Sequence, residues 1–204
     1  MMVITRICNR VSPRGRATGR PIHGAVLVGA MAGMLWWGGQ HASSQEAMAY
    51  TYPLIQEYGP VVRLPNAAQQ PRDGSRIVVD LTRGGEPSQL NSAIEKVARF
   101  VNIYAGAGDK PAAAQIVVVL HGNATLVSLR DNAYEEEFGV ATNPHLPLIR
   151  QLREAGVKFL VCGQSLAGYG RKPTEVDPVV ELAVSALTAL VNLQSDGFAY
   201  VPLQ

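Results

Sequence analysis

Residues 116–122 read IVVVLHG, and this stretch decides the fold class. It begins with five consecutive apolar residues, of which four are β-branched, and the run stops at His121 and Gly122. An unbroken apolar run of this length is typical of a central strand that helices cover on both faces. The stretch therefore predicts a parallel strand inside an α/β sheet.

Strand and helix patterns alternate on both sides of this central run. Further strands are predicted at Ile77–Leu81, Val157–Cys162 and Phe198–Val201. Apolar residues at intervals of three or four predict a helix from Pro87 to Tyr104, and a second helix with Asn143 as N-cap, Pro144 in its first turn and Gly156 at its end. Residues 131–137 (DNAYEEE) predict a short acidic helix. This alternation predicts a single three-layer α/β/α domain with a mainly parallel sheet.

The segment Val179–Leu193 is apolar around most of its circumference when it is read as a helix. Its polar residues fall within one narrow stripe at helical spacing: Glu181, Ser185, Thr188 and Asn192. Such a helix has to be covered on more than one side. We therefore expect a homo-oligomer in which a second subunit packs against it.

The first 49 residues have the order of a secretory signal peptide. Five arginines precede an uncharged apolar stretch at 24–39, and small residues follow it at Ala42, Ser44, Ala47 and Ala49. The apolar stretch is shorter than the roughly 20 residues that a spanning helix needs, so cleavage after Ser44 or Ala49 is expected. The alternative is an uncleaved membrane anchor. Both readings place the remaining chain outside the cytoplasm, in the periplasm or a similar exported location.

Residues 50–75 are rich in Pro, Gln, Asn and Gly and are predicted to form an extended arm, which leaves 76–204 as the folded domain. Removing 1–49 takes five basic residues and one acidic residue out of totals of 18 and 16, so the remainder carries a formal charge of −2. Its basic residues are scattered among acidic ones, which argues against a nucleic-acid partner. Because Cys8 belongs to the leader, Cys162 is the single remaining thiol.

Four polar side chains are predicted at one edge of the sheet, where the parallel strands end. His121 and Cys162 each terminate an apolar run, and Asn123 and Gln164 follow two residues later. Ligands of such sheets bind at this edge. A functional reading makes Cys162 a thiolate nucleophile that His121 assists. The structural alternatives are a buried, inert cysteine and a histidine that bonds a loop carbonyl.

Other site types are disfavoured by the motifs. GQSLA at 163–167 lacks the last glycine of a nucleophile elbow, and no histidine follows Ser165, as the hydrolase order would require. A zinc site from His121, His145 and Cys162 has no supporting ligand spacing. There is no phosphate-binding or dinucleotide fingerprint either, so no metal and no cofactor are predicted.

Several segments together resemble the DsrE/DsrF-like family. They are VVVLHG at 117–122, NPHLPLI at 143–149, VCGQS at 161–165, ALTALVNLQ at 186–194 and GFAYVP at 197–202. The resemblance spans about residues 76–203. It implies a flavodoxin-like three-layer fold and assembly as trimers or hexamers. It also implies that Cys162 lies where sulfur-relay members carry a persulfide, just after the third strand.

The resulting prediction is a periplasmic protein that handles sulfur or thiol redox chemistry through Cys162 and His121. Asn123, Gln164 and Ser165 are expected to bind the sulfur or a ligand, and the partners would be a sulfur donor and an acceptor protein. Whether the chain turns over a substrate is left open. The alternatives are a non-catalytic oligomeric module that binds a small ligand, and a scaffold whose cysteine only packs.

Overall fold

The computed structural model of the chain describes residues 48–203. Residues 1–47 of the predicted leader, which include Cys8 and the cleavage position after Ser44, lie outside the described residues. The alternative cleavage position after Ala49 lies within the described residues and stays a prediction. The described part contains strands β1 to β7 and helices α1 to α5. The strands are β1 (Tyr50–Thr51), β2 (Val61–Val62), β3 (Ser75–Leu81), β4 (Ala114–Leu120), β5 (Lys158–Cys162), β6 (Glu181–Ala183) and β7 (Ala199–Leu203).

A five-stranded parallel sheet forms the centre, with the strand order β6-β5-β4-β3-β7. The chain moves outward from β3 to β6 and then returns to place β7 on the other side of β3. Leu81 pairs with Leu120 and also with Leu203, so three strands end at the same level. The point where the strand order reverses is the usual ligand position of open parallel sheets.

Helices cover both faces of the sheet and bury a core on each side. The helices are α1 (Ser92–Asn102), α2 (Asp131–Phe138), α3 (Leu146–Glu154), α4 (Gly163–Gly168) and α5 (Ala186–Ser195). Val79 and Val118 point toward the larger core, which contains Ile94 of α1 and Leu148 of α3. Val78, which precedes Val79, and Val119, which follows Val118, pack on the opposite face of the sheet against α5. This alternation confirms the predicted three-layer, parallel α/β class.

Helix α1 begins later than predicted, because Asn91 caps it. The Asn91 side chain accepts a hydrogen bond of 2.8 Å from the backbone N–H of Ala93, which satisfies a first-turn donor. The predicted apolar face is confirmed, with Ile94 and Val97 fully buried. After Asn102 the helix widens into a π-helical segment at Ile103–Ala107.

The predicted helix over Val179–Leu193 is wrong in its first half. Residues Glu181–Ala183 are extended and pair with β5 as the edge strand β6, and α5 begins only at Ala186. Ser185 sets this start, since its side chain accepts a hydrogen bond from the backbone N–H of Thr188 at 3.0 Å. Leu187 and Val191 nevertheless remain 77% and 61% exposed, so the helix does present apolar side chains to the outside.

The start of α3 also differs from the prediction. Asn143 does not cap the helix directly; its side chain accepts from the N–H of His145 and donates to the carbonyls of Val127 and Leu129. The first helical residue is Leu146, and Pro147 is the proline of the first turn. The short acidic helix is confirmed as α2, and Gly156 ends the turn after α3 with a φ of 89°.

Residues 50–75 pack along α1 through a buried asparagine. β1 and β2 form a short antiparallel ladder within this arm. Asn102 is fully buried, and its side chain accepts from the N–H groups of Leu54 and Ile55 and donates to the carbonyls of Ile55, Tyr58 and Gly59. One side chain therefore satisfies most of the polar backbone groups in this stretch of the arm. Between residues 48 and 203 no helix combines the length and the hydropathy that crossing a bilayer requires.

Candidate functional site

Cys162 is both the last residue of β5 and the N-cap of α4. Its side chain is 5% exposed, and the sulfur accepts a hydrogen bond from the backbone N–H of Ser165 at 3.4 Å. Gly163 permits this tight turn, because a Cβ at that position would lie only 3.0 Å from the carbonyl oxygen of Ala183. The end of β6 therefore packs closely against the residue that follows Cys162.

The pKa of the Cys162 thiol is lowered by the groups that surround the sulfur. Burial by itself raises the pKa, but hydrogen bonds from the hydroxyl and N–H of Ser165 and from the N–H groups of Ala186 and Gln164 outweigh it. Ala186 is the first residue of α5, so amides from the starts of two helices face the sulfur. A lowered pKa increases the thiolate fraction, and the thiolate is the nucleophilic form of cysteine.

Ser165 couples the thiol to the turn that follows β4. The backbone N–H of Gly122 donates to the Ser165 hydroxyl oxygen at 3.3 Å, and the Ser165 side chain also lowers the pKa of the thiol. Gly122 has a φ of 53°, a left-handed conformation that glycine adopts without strain. The predicted ligand residue Ser165 thus contacts the sulfur of Cys162 through its backbone N–H.

His121 is held by an acidic residue from the neighbouring strand. Its Nε2 lies 2.6 Å from Oδ1 of Asp80, and the second carboxylate oxygen accepts a hydrogen bond of 2.6 Å from the hydroxyl of Tyr200. Asp80 is buried and the His121 side chain is 29% exposed. The three side chains come from β4, β3 and β7, and they form one connected group at the point where the strand order reverses.

His121 and Cys162 stand on neighbouring strands and on the same face of the sheet. Leu120 pairs with Val161, so the residues that follow them, His121 and Cys162, lie side by side. Leu120 and Val161 belong to the larger core, whereas Cys162 belongs to the core under α5, and strand alternation gives His121 that same side. Among the described residues no hydrogen bond joins the two side chains.

Asn123 and Gln164, the other predicted ligand residues, are exposed and make intramolecular bonds. Oδ1 of Asn123 accepts from the hydroxyl of Tyr169 at 2.5 Å. The side-chain amide of Gln164 donates to the carbonyl of Val184 at 3.3 Å, which ties α4 to the β6–α5 connection. Neither contacts the sulfur through its side chain. Next to Asn123 lies a cavity of about 240 Å³ lined by Gly84, Gly85, Leu126, Val127, Tyr134, Phe138 and Tyr169.

The comparisons with known proteins identify the family of this domain. The sequence model of the DsrE/DsrF-like family matches residues 76–203, which is more than half of the chain. The chain belongs to the DsrE/DsrF-like family. The comparison with curated proteins found no match. Among solved structures, the protein of unknown function MTH1491 from Methanobacterium thermoautotrophicum is similar, with 20% identity, a TM-score of 0.49, and coverage of 63% of this chain and 99% of that one.

In this DsrE/DsrF-like protein, the matched range contains the whole carboxyl-edge site, whereas the arm lies outside it. Asp80 and Tyr200 are site residues that the sequence prediction missed. Asp80 gave a signal, because it is the one charged residue in the otherwise apolar run IVVDL. Tyr200 gave none, since its position beside Asp80 depends on the return of β7 to β3.

His145 of the DsrE/DsrF-like domain has a structural position away from the sulfur. It is fully buried; Nδ1 accepts from the N–H of Asn91 at 3.2 Å, and Nε2 lies 3.2 Å from the hydroxyl of Tyr134, which donates to the carbonyl of Pro87. Burial lowers the pKa of His145 to about 4. Between residues 48 and 203 no three His, Cys, Asp or Glu side chains are grouped closely enough to hold a metal ion.

Proposed function

We propose that this DsrE/DsrF-like protein carries sulfur as a persulfide on Cys162. The observation that supports this most directly is the set of hydroxyl and amide donors around the sulfur, which lowers the thiol pKa despite burial. These donors stabilise negative charge at the position that the terminal sulfur of a persulfide would adjoin. Family membership supports a role related to sulfur relay.

The transfer is a displacement at sulfur that changes no overall oxidation level. The Cys162 thiolate attacks the outer sulfur of a sulfane-sulfur donor, R–S–SH, and forms a new S–S bond. The S–S bond of the donor breaks, and R–S⁻ leaves with its electron pair. An acceptor thiolate then attacks the terminal sulfur of the persulfide, which restores the Cys162 thiolate.

His121 is the group that we propose manages the proton in this cycle. It is partly exposed, and it stands on the strand next to Cys162. An imidazole changes protonation near neutral pH, so it can give a proton to a leaving thiolate and take one back from an acceptor thiol. Asp80 bonds its Nε2 and would stabilise the imidazolium form.

We also propose that the protein is exported and that it assembles as a homo-oligomer, a trimer or a hexamer. The order of charge, apolar stretch and small residues in 1–49 supports export to the periplasm. The exposed Leu187 and Val191 of α5, together with the exposed Leu182 and Val184 before it, support assembly. A contiguous apolar surface of this kind is typical of a protein interface.

A small-ligand-binding module is the second candidate, and one observation favours it. The cavity of about 240 Å³ beside Asn123 lies at the carboxyl edge of β3 and β4, and it is lined by the aromatic rings of Tyr134, Phe138 and Tyr169. Pockets that bind small molecules commonly combine aromatic walls with a few polar groups. In that case Cys162 would not need to react.

The deciding experiment is incubation of the purified protein with an inorganic polysulfide, followed by peptide mass analysis. We expect the peptide that contains Cys162 to gain one sulfur atom and to lose it when an acceptor thiol is added. Cys162→Ser should gain none while it keeps the parent's thermal unfolding transition. Parent protein alkylated beforehand is the matched control. If Cys162→Ser were loaded as well as the parent, or the parent's Cys162 were never loaded, the carrier proposal would be wrong.

A further inference from the structure

The group formed by Tyr200, Asp80 and His121 joins three adjacent strands through two hydrogen bonds of 2.6 Å. We infer that Asp80 and Tyr200 are positioning residues that hold His121 with its proton on Nε2, which leaves Nδ1 as the ring nitrogen that accepts or gives a proton. The role of Nδ1 in proton transfer rests on the proposed function. The tautomer itself follows from which atoms of His121, Asp80 and Tyr200 donate and which accept hydrogen bonds.

The direction of each hydrogen bond follows from the groups involved. An ionised carboxylate only accepts, so Oδ1 of Asp80 requires a donor and Nε2 of the neutral ring must carry the proton. Oδ2 accepts from the hydroxyl of Tyr200, and this bond, the largest cause, raises the pKa of Tyr200 above its ordinary value. Tyr200 therefore remains a donor at neutral pH, and both carboxylate oxygens are occupied.

Few other charged groups act on this imidazole. α5, which packs in the same core as Cys162, and α4, which follows Cys162 directly, carry no ionisable side chain, as their sequences ALTALVNLQS and GQSLAG show. The neighbouring strands contribute Asp80 from β3, Cys162 from β5 and Tyr200 from β7. Among the described residues Asp80 is the only ion-pair partner of His121. Asp80 is thus the charged group that bonds the His121 ring, and Tyr200 bonds the other oxygen of the same carboxylate.

Replacing Tyr200 and replacing Asp80 should therefore change His121 in two different ways. Removing the Tyr200 hydroxyl leaves Nε2 of His121 as the one hydrogen-bond donor to the Asp80 carboxylate among the described residues, so the Nε2–H···Oδ1 bond should strengthen. In Asp80→Asn the tyrosine hydroxyl still requires an acceptor, so the amide oxygen turns to it and the amide N–H group faces Nε2. Nε2 must then accept, and the neutral ring switches its proton to Nδ1.

Nitrogen NMR of the full protein with labelled histidine tests this directly, with the His121 signals assigned by their loss in His121→Asn. We expect the neutral parent ring to be protonated at Nε2 and the Asp80→Asn ring at Nδ1. Tyr200→Phe should keep the parent tautomer and shift the signal of the protonated Nε2, because Nε2 then becomes the one donor that bonds the Asp80 carboxylate among the described residues. Tyr104→Phe is the matched control, because the Tyr104 hydroxyl makes no hydrogen bond within the described residues, and its Nε2 signal should stay at the parent's position.

Two results would overturn the inference. One is a neutral parent ring protonated at Nδ1; the other is an Nε2 signal in Tyr200→Phe that equals the signal in Tyr104→Phe. Because Tyr200 is 44% exposed, its phenylalanine variant remains informative if Asp80→Asn fails to fold. These readouts need no sulfur donor. A protein that shows the predicted tautomer and the Nε2 signal change in Tyr200→Phe, but never loads Cys162, would contradict the carrier proposal and leave the positioning roles established.

Discussion

The backbone nitrogen of Ser165 lies 3.4 Å from the sulfur of Cys162, and its N–H donates to that sulfur. The side chain and the backbone of this one residue both lower the pKa of the thiol, against the effect of burial. The hydroxyl oxygen in turn accepts a hydrogen bond from the backbone N–H of Gly122.

Replacing Ser165 by Ala should raise the pKa of the Cys162 thiol, because it removes one of the groups that lower this pKa while the backbone donors remain. At a pH below both pKa values the alkylation rate should fall several-fold, in proportion to the thiolate fraction. The measurement is the rate of iodoacetamide labelling against pH. Ser195→Ala is the control, because that hydroxyl bonds the carbonyl of Val191 within α5. Equal pH profiles for both variants would contradict the assignment.

The buried His145 predicts a loss of stability in acid. Its pKa is about 4 in the folded protein, against 6.5 for the ordinary value, so the unfolded chain binds this proton first as the pH falls. The free energy of unfolding should therefore decrease between about pH 6.5 and pH 4, by at most about 3 kcal/mol from this group. Below that range the contribution should level off.

Urea unfolding of the parent and of His145→Gln at a series of pH values isolates this contribution. Glutamine can still accept from Asn91 but does not titrate, so the stability difference between the two proteins should shrink as the pH falls through this range. Other groups titrate in both proteins and cancel. A difference that stays constant from neutral pH to pH 4 would show that His145 is protonated in the folded state as readily as in the unfolded chain.

Leu187 is the residue that should separate the proposed oligomer into monomers. Its side chain is 77% exposed in the single chain, so Leu187→Asp removes little from the core but places a charge in an interface on α5. Light scattering should report a folded monomer for this variant and a trimer or hexamer for the parent. Leu64→Asp, at a leucine that is 50% exposed on the arm, should keep the parent's mass. A monomeric parent at micromolar concentration would end the proposal.

Asn102→Ala should destabilise the protein by about 3 kcal/mol, because it leaves buried N–H and C=O groups of the arm without partners. Protease cleavage within residues 50–62 should become faster as the arm detaches. Asn132→Ala, in an exposed position of α2, should change stability little. Equal cleavage rates for the two variants would show that the arm is held by other contacts.

Local patterns were sufficient to predict the central strands and the edge of the sheet at which His121 and Cys162 lie. β3, β4 and β5 are marked by β-branched runs, and parallel strands bring their carboxyl ends together, so His121 and Cys162 could be placed there from the sequence alone. The contact of Ser165 with the sulfur also follows from local geometry, because an N-cap side chain accepts from the third residue after it.

The features that were missed depend on long-range pairing. β6 is only three residues long, and its apolar residues also fit a helical period, so only pairing with β5 distinguishes the two. The bond between Tyr200 and Asp80 requires β7 to lie next to β3, although β6 precedes β7 in the chain. Neither fact is expressed in the local order of residues.

The bonding of Asn102 has a consequence for where this protein can be divided. The family match begins at residue 76, yet Asn102, inside it, is satisfied only by backbone groups that lie outside it, in 54–59. In a fragment that starts at residue 76, the side-chain amide of Asn102 would lose its hydrogen bonds to the arm. The arm and Asn102 thus depend on each other, so a truncation that removes the arm should also replace Asn102 with an apolar or smaller residue.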